Sequence, residues 1–284
     1  MLGGFGYNRG TARRLDAQEA IIREETMNSI VIAMRRLGAA ALASAATLTA
    51  LPAAHAAELH ILSAGAAKSV VAETVLAFEK KTGAKITAEY MPVGPIIKRL
   101  AEGAESDLVV LSQETMAQAS EKGWILPPSL MQVGRVGLAV AVKEGAPAPD
   151  ISTVDAFKKT LLAAKSIVYV DPARASSGKH FASVLEKLGI AAEMKPKTKI
   201  VAGGYVAELV AKGEAELAVH LVTELLPVKG ITIVGPFPAE VQKFIVYQAA
   251  VGAKAPNKEY AHAFLALLVE PEFRALALKK GFMN

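Results

Sequence analysis

Residues 167–181 read IVYVDPARASSGKHF, and the fold turns on them. Ile167–Val170 is an uninterrupted apolar run, short for a helix and suited to a strand buried on both faces. Asp171-Pro172 breaks the run, small hydroxyl residues and Gly178 follow, and a helix is expected over Lys179–Leu188. A buried strand, a short polar loop and a helix form the unit from which parallel sheets covered by helices are built.

The same unit recurs on either side. LHILSAG (Leu59–Gly65) is an apolar run ending in glycine, and Val71, Val75 and Phe78 give helix spacing over Val70–Thr82, stopped at Gly83. AKITAEYM (Ala84–Met91) alternates as a strand, and Ile96–Glu102 is a short helix closed by Gly103. SDLVVLS (Ser106–Ser112) is a continuous apolar strand, and Thr115–Lys122 a helix ended by Gly123. A second set opens with RVGLAVAVK (Arg135–Lys143). It passes through the proline-rich GAPAPDIST to a helix over Thr153–Ala164, capped by Ser152 or Thr153. Beyond the quoted stretch come a strand at Lys199–Val201, a helix at Tyr205–Lys212 and a strand at Leu217–Leu221. Strands at Ile231–Pro238 and Lys243–Val251 and helices at Lys258–Leu268 and Pro271–Lys279 complete the chain. The pattern predicts an α/β chain of two lobes with a ligand cleft between them, each lobe a parallel-dominated sheet with helices on both faces. Lobe 1 is expected from residues 57–136 and 245–284, and lobe 2 from residues 137–244.

Residues 1–56 hold six Lys+Arg and four Asp+Glu, leaving 26 and 23 of the totals of 32 and 27 for the rest. That weak positive balance is spread out, with no basic cluster interleaved with aromatics, which argues against a nucleic-acid partner. The chain has no cysteine, so disulfides, thiolate catalysis and thiolate metal sites are excluded. No H-E-x-x-H, G-x-S-x-G or paired histidine–carboxylate metal spacing occurs, and SGK lacks the spacing of a phosphate-binding Walker loop. No metal and no cofactor are expected.

From Met27, the sequence MNSIVIAMRRLGAAALASAATLTALPAAHA reads as a signal peptide over residues 27–56. Arg35-Arg36 supply the positive region, Leu37–Leu51 the apolar run, and Ala54-His55-Ala56 the cleavage pattern, with cleavage after Ala56. An apolar run of about fifteen residues is short for a membrane span, which needs about twenty. Residues 1–26 read as an over-extended N-terminus.

In open parallel sheets, ligands bind beyond the carboxyl ends of the strands. The loops there are Ser63–Ser69, Met91–Pro95, Ser112–Thr115, Asp171–Lys179, Val201–Tyr205 and His220–Glu224. SAGAAKS places Ala66 to Ser69, with Lys68, at a helix start, where free N–H groups and the positive dipole end attract anions. The same residues equally suit a plain strand-to-helix joint. The quoted loop repeats the arrangement: Arg174, Ser176, Ser177 and Gly178 lead into a helix that opens with Lys179 and His180. Serine is also an ordinary N-cap. Gly203, Gly204 and Tyr205 open a third expected helix start, with the Tyr205 hydroxyl able to point into the cleft. Val93, Gly94 and Ser112 complete the candidate binding set. Few acidic residues lie in these loops, which favours an anionic ligand. His180 and His220 lie near the cleft, and His180 or Lys179 is the candidate base if the cleft is catalytic.

LHILSAGAAKSV, FEKKTGAKI, RLAEGAESDLVVLS, GRVGLAVAVKEGAPAPDIST, VDPARASSGKHFASVLEKLGI and LVAKGEAELAV together resemble the type II periplasmic solute-binding proteins, molybdate-binding branch, over almost all of residues 58–284. The resemblance implies two α/β lobes joined by hinge strands and closing on the ligand. It also implies a periplasmic monomer that delivers a small anion to an inner-membrane ABC permease. Molybdate-binding members hold the oxyanion with serine hydroxyls, backbone N–H groups and a tyrosine. The corresponding side-chain positions here are Ala66, Val93 and Leu221, with Ser177 where the family uses a backbone N–H. That departure points from molybdate to an organic polycarboxylate. DISTVDAFKKTLLAAKSIVYVDPA and GGYVAELVAKGEAELAVHLVTELLPVKGITIVGPFPAEVQ are similar to a sub-branch that includes aconitate isomerase, which interconverts trans- and cis-aconitate without a cofactor. On that alternative, Lys68, Arg174 and Lys179 would supply donors for carboxylates, and His180 or Lys179 the base.

Overall fold

A computed structural model describes residues 57–284; the expected N-terminal segment 1–26 and signal peptide 27–56 lie outside the described residues. The first sheet holds β1 (Glu58–Ala64), β2 (Lys85–Met91), β3 (Leu108–Ser112), β4 (Met131–Val136) and, from late in the chain, β10 (Ile245–Val251), in the order β2-β1-β3-β10-β4. The second holds β5 (Leu138–Lys143), β6 (Ile167–Val170), β7 (Thr198–Val201), β8 (Leu217–Leu221) and β9 (Ile231–Pro236), in the order β7-β6-β8-β5-β9. The middle strands β3 and β8 are buried along their whole length. Covered on both faces, they carry near-continuous apolar runs instead of an alternation.

Each sheet is half parallel and half antiparallel. Strands β2-β1-β3 and β7-β6-β8 run parallel. β10 is antiparallel to β3 and β4, and β5 is antiparallel to β8 and β9. The sheets are therefore mixed where the pattern suggested mainly parallel ones, because the strands nearest the crossings between sheets run against the rest. RVGLAVAVK is the end of β4 and all of β5, in different sheets, with Gly137 between them. The return passage lies against this crossing: Gln242 Nε2 donates to the Leu138 carbonyl (2.9 Å), and Leu138 N–H donates to Gln242 Oε1 (3.2 Å).

Helices α1 (Lys68–Thr82), α2 (Val93–Ala101) and α3 (Gln113–Glu121) follow β1, β2 and β3. In the second half, α4 (Val154–Ala163) is capped by Thr153, whose hydroxyl accepts from Ala156 N–H (3.1 Å). It is followed by α5 (Ser176–Lys187), the one-turn helices α6 (Ala191–Met194), α7 (Glu208–Ala211) and α8 (Val222–Leu225), then α9 (Lys258–Leu268) and α10 (Pro271–Lys279). Phe78 of α1 packs on Phe264 of α9 at 5.4 Å between ring centres, which returns the chain's last part to the first sheet.

The opening stretch is a strand and a helix, but α5 begins at Ser176, three residues before the expected start. Ser176, Ser177 and Gly178 thus form its first turn and do not precede it. A Cβ at Gly178 would stand 2.0 Å from the Val170 carbonyl oxygen, so the first turn lies directly on the end of its own strand and only glycine fits. At Gly203–Tyr205 the correction goes the other way. Gly204 adopts φ 84°, the left-handed region, and helix starts only at Glu208, so this segment is a loop and not a helix start.

Candidate functional site

A cavity of about 400 Å³ lies between the two sheets, lined from five of the six expected loops. Ala64, Gly65, Ala66 and Lys68 come from the end of β1 and the turn into α1; Tyr90, Met91, Pro92 and Val93 from the end of β2. The second half supplies Ala175, Ser176 and Ser177 at the start of α5, the 202–205 loop, and Glu224 on α8. Tyr247 reaches it from β10.

The halves also meet directly. Gly94 N–H donates to the Arg174 carbonyl (2.9 Å), the Ser176 hydroxyl donates to Ser112 Oγ (3.1 Å), and Lys179 Nζ pairs with Glu114 Oε1 (2.6 Å). These contacts span elements attached to different sheets, so the cleft is closed.

Of the residues singled out from sequence, Ala66, Lys68, Val93, Ser176, Ser177, Gly204 and Tyr205 line the cavity together. Ser69, Gly94, Arg174 and Gly178 do not line it. Arg174 turns its Nε to the Ala202 carbonyl (3.0 Å) and is largely exposed. Ser112, Lys179 and His180 line a different hollow of about 440 Å³, which shares only Ser176 with the first. There Lys179 is occupied by Glu114, and His180 Nε2 is bonded to the Val241 carbonyl oxygen (3.0 Å). Burial holds the His180 pKa below the usual imidazole value.

Lys68 is the one cationic side chain lining the main cavity among the described residues. Its Nζ sits 5.7 Å from the ring centre of Tyr90 and 5.2 Å from that of Tyr205, so one aromatic ring from each half holds the charge in place. The first turn of α5 carries no side-chain cap. Its N–H groups are therefore open to an anion at Ser176–Ser177.

Glu224, Tyr90 and Tyr247 were not singled out from sequence. A Cβ at Gly65 would stand 2.8 Å from Glu224 Oε1, so the carboxyl occupies space that any other residue at 65 would fill. Glu224 Oε2 lies 3.3 Å from His220 Nδ1. Leu221 N–H donates to that same Nδ1 (2.8 Å), which fixes it as an acceptor and leaves the ring proton on Nε2. Among the described residues no hydrogen bond reaches the Glu224 carboxyl. Burial pushes its pKa up to about 8 and that of His220 down to about 4. Both are therefore mostly uncharged near pH 7. Burial, and then the neighbouring Glu224, also raise the Tyr247 phenol, and burial pushes Tyr90 up to about 12. The one trace of this pair in the sequence is the spacing of His220 and Glu224, four apart across the end of a buried strand.

The cavity therefore combines one fixed cation, open N–H groups, hydroxyls and a neutral carboxyl able to give and take a proton near working pH. The chain is 34% identical over 242 residues to aconitate isomerase from Pseudomonas sp, covering 83% of this chain and 90% of that protein. It is 24% identical over 231 residues to the molybdate-binding protein ModA of Escherichia coli (strain K12), covering 79% and 88%. The periplasmic molybdate-binding protein of Azotobacter vinelandii superposes with a TM-score of 0.68 at 20% identity, over 80% of this chain and 99% of that one. The two-lobed fold is thus that of the type II periplasmic binding proteins. The family model described as bacterial extracellular solute-binding protein matches residues 59–283, nearly every residue of both sheets and the closed cleft, and the chain belongs to that family.

Proposed function

We propose that the protein is exported, captures a small unsaturated polycarboxylate in its closed cleft, and moves an allylic proton within it without a cofactor, in the manner of an aconitate isomerase. The observation that carries this reading is Glu224, a carboxyl in the wall of an anion-suited cavity with a pKa of about 8. Such a group is protonated at rest, yet strongly basic in its ionised fraction. That fraction takes the proton from the substrate CH2; the C–H electron pair spreads over the allyl unit and its carboxylates. The proton is returned at the far carbon, the double bond shifts, and no proton is gained or lost overall. Lys68 and the first-turn N–H groups of α5 hold carboxylates and stabilise the charge that develops on them. The likeness to aconitate isomerase supports the substrate class.

Capture alone, for delivery to an inner-membrane permease, is the second reading. It is favoured by the contacts Gly94–Arg174, Ser112–Ser176 and Glu114–Lys179, which make a clamp that needs no chemistry. One experiment separates the two: the purified protein is incubated with trans-aconitate while the product is followed by NMR. A thermal-shift series with citrate, both aconitates, tricarballylate, molybdate and sulfate runs beside it. Turnover supports the isomerase. Tight binding of tricarboxylates without turnover leaves capture, and stabilisation by molybdate or sulfate alone overturns both readings.

A further inference from the structure

Glu224 belongs to the second half of the molecule, but much of what removes it from water belongs to the first. On its own side it has His220, 3.3 Å away, whose Nδ1 already accepts the Leu221 N–H and offers no proton to a carboxylate. Across the cleft it meets Gly65 in the turn before α1, and its charge is felt by the buried Tyr247 of β10. The other titratable groups on the cavity wall are Lys68, Tyr90 and Tyr205, with Lys68 lying over the two rings. The turn Gly65–Ala67 brings no titratable side chain. If the cleft opens, the Gly65 turn draws away from the carboxyl and water can reach and ionise it. A closed cleft holding an anion sets a second negative charge beside it, while no hydrogen bond from the described residues reaches the Glu224 carboxyl itself.

We propose that Glu224 is a proton-binding site completed by closure, so that the protein takes up a proton together with each anionic ligand it captures. This rests on the reading that the cavity takes a carboxylated ligand. In the closed cleft burial holds the acid at a pKa of about 8, against an ordinary value of 4.5, and an anion beside it acts in the same direction. Between those two values, affinity for a fully ionised ligand falls as pH rises, by up to about tenfold per pH unit. For turnover, the captured proton marks the resting complex, and the reacting fraction is the one that has lost it.

The test uses tricarballylate, a saturated tricarboxylate that has no allylic proton to move. Calorimetric titration at pH 7.5 in HEPES and in Tris, whose ionisation enthalpies differ, counts the protons exchanged. Uptake of nearly one proton per bound anion is expected for the wild type, and none for Glu224→Gln. Binding by the wild type without proton uptake overturns the proposal. A second measurement needs no ligand. Because Ser112 and Ser176 meet at 3.1 Å and the chain has no other cysteine, Ser112→Cys with Ser176→Cys locks the cleft by a disulfide. Infrared difference spectra against the same protein carrying Glu224→Gln should show a protonated acid at pH 7 in the oxidised form, lost on reduction. An ionised Glu224 in the locked protein overturns the proton site. Failure of every tricarboxylate to bind, with the acid still protonated when locked, overturns the ligand reading alone.

Discussion

Asp107 and Glu224 stand at opposite ends of the two middle strands, Asp107 just before β3 and Glu224 in the turn after β8. Both are withdrawn from bulk water, with 1% and 8% of their surfaces exposed. Asp107 is fully engaged: Oδ2 accepts the His60 N–H (2.8 Å) and Oδ1 the Asn257 N–H (2.9 Å). It therefore ties β1 and the entry to α9 onto β3. Glu224 has a glycine, a neutral imidazole and the cavity beside it, and no donor among the described residues. Burial alone thus does not mark a functional carboxyl; the hydrogen bonds offered to it decide between a clasp and a proton carrier.

Glu224→Gln breaks the comparison most sharply. It keeps shape and burial while removing the exchangeable proton, so turnover of trans-aconitate should fall by roughly 10²–10⁴-fold, with the melting temperature preserved. Loss of folding with loss of activity would make Glu224 a second clasp. Asp107→Ala should show the opposite split. Two part-buried N–H donors lose their acceptor at about 1–3 kcal/mol each at most, so chemical denaturation should show a loss of about 2–3 kcal/mol while the remaining folded protein still binds tricarballylate.

The pH dependence of stability separates the two sites with a smaller effect. A Glu224 pKa of about 8 in the fold, against 4.5 when unfolded, means that the native state keeps a proton that the unfolded chain has shed. Stability from this group is complete below pH 4.5 and is lost as pH rises towards 8. His220 acts oppositely: with its pKa lowered from 6.5 to about 4, it adds stability as pH rises through that interval. Of these two groups only Glu224 acts between pH 6.5 and 8, where the stability of the protein locked closed by Ser112→Cys with Ser176→Cys should decline by on the order of 2 kcal/mol. In that locked protein the decline should vanish with Glu224→Gln and persist with His180→Ala; a flat profile when locked would place the carboxyl in water.

The smallest expected effect concerns the second hollow. Lys179 and Glu114 form an ion pair whose side chains are 66% and 62% exposed, and exposed pairs contribute less than about 1 kcal/mol. Lys179→Ala should change trans-aconitate turnover by less than about fivefold, checked by steady-state kinetics. A loss approaching that of Glu224→Gln would return the base to the residues favoured from sequence.

Much of the fold was legible because buried strands must be apolar and helices must show their period. SDLVVLS and IVYV announced β3 and β6, and the loops after the strands supplied most of the cavity wall. Legibility failed where a residue's meaning depended on a distant partner. The β pattern of RVGLAVAVK runs on through Gly137, where the chain passes from one sheet to the other. Helix starts were misplaced at Ser176, where the close approach of Gly178 to Val170 pulls the turn onto the strand, and at Gly203–Gly204, where backbone geometry delays it. His180 and Lys179 had the right chemistry for a base but face another hollow.

The alternation of apolar runs, breaks and helical periods determined by itself that this chain builds two helix-covered sheets with loops meeting at their strand ends. Those patterns follow from local backbone preference and the need to bury one face or two, and neighbouring residues carry both. Only the tertiary structure decided which acid matters. Gly65, Glu224 and Tyr247 are far apart in sequence, and the proton affinity of Glu224 comes from the water excluded when they meet.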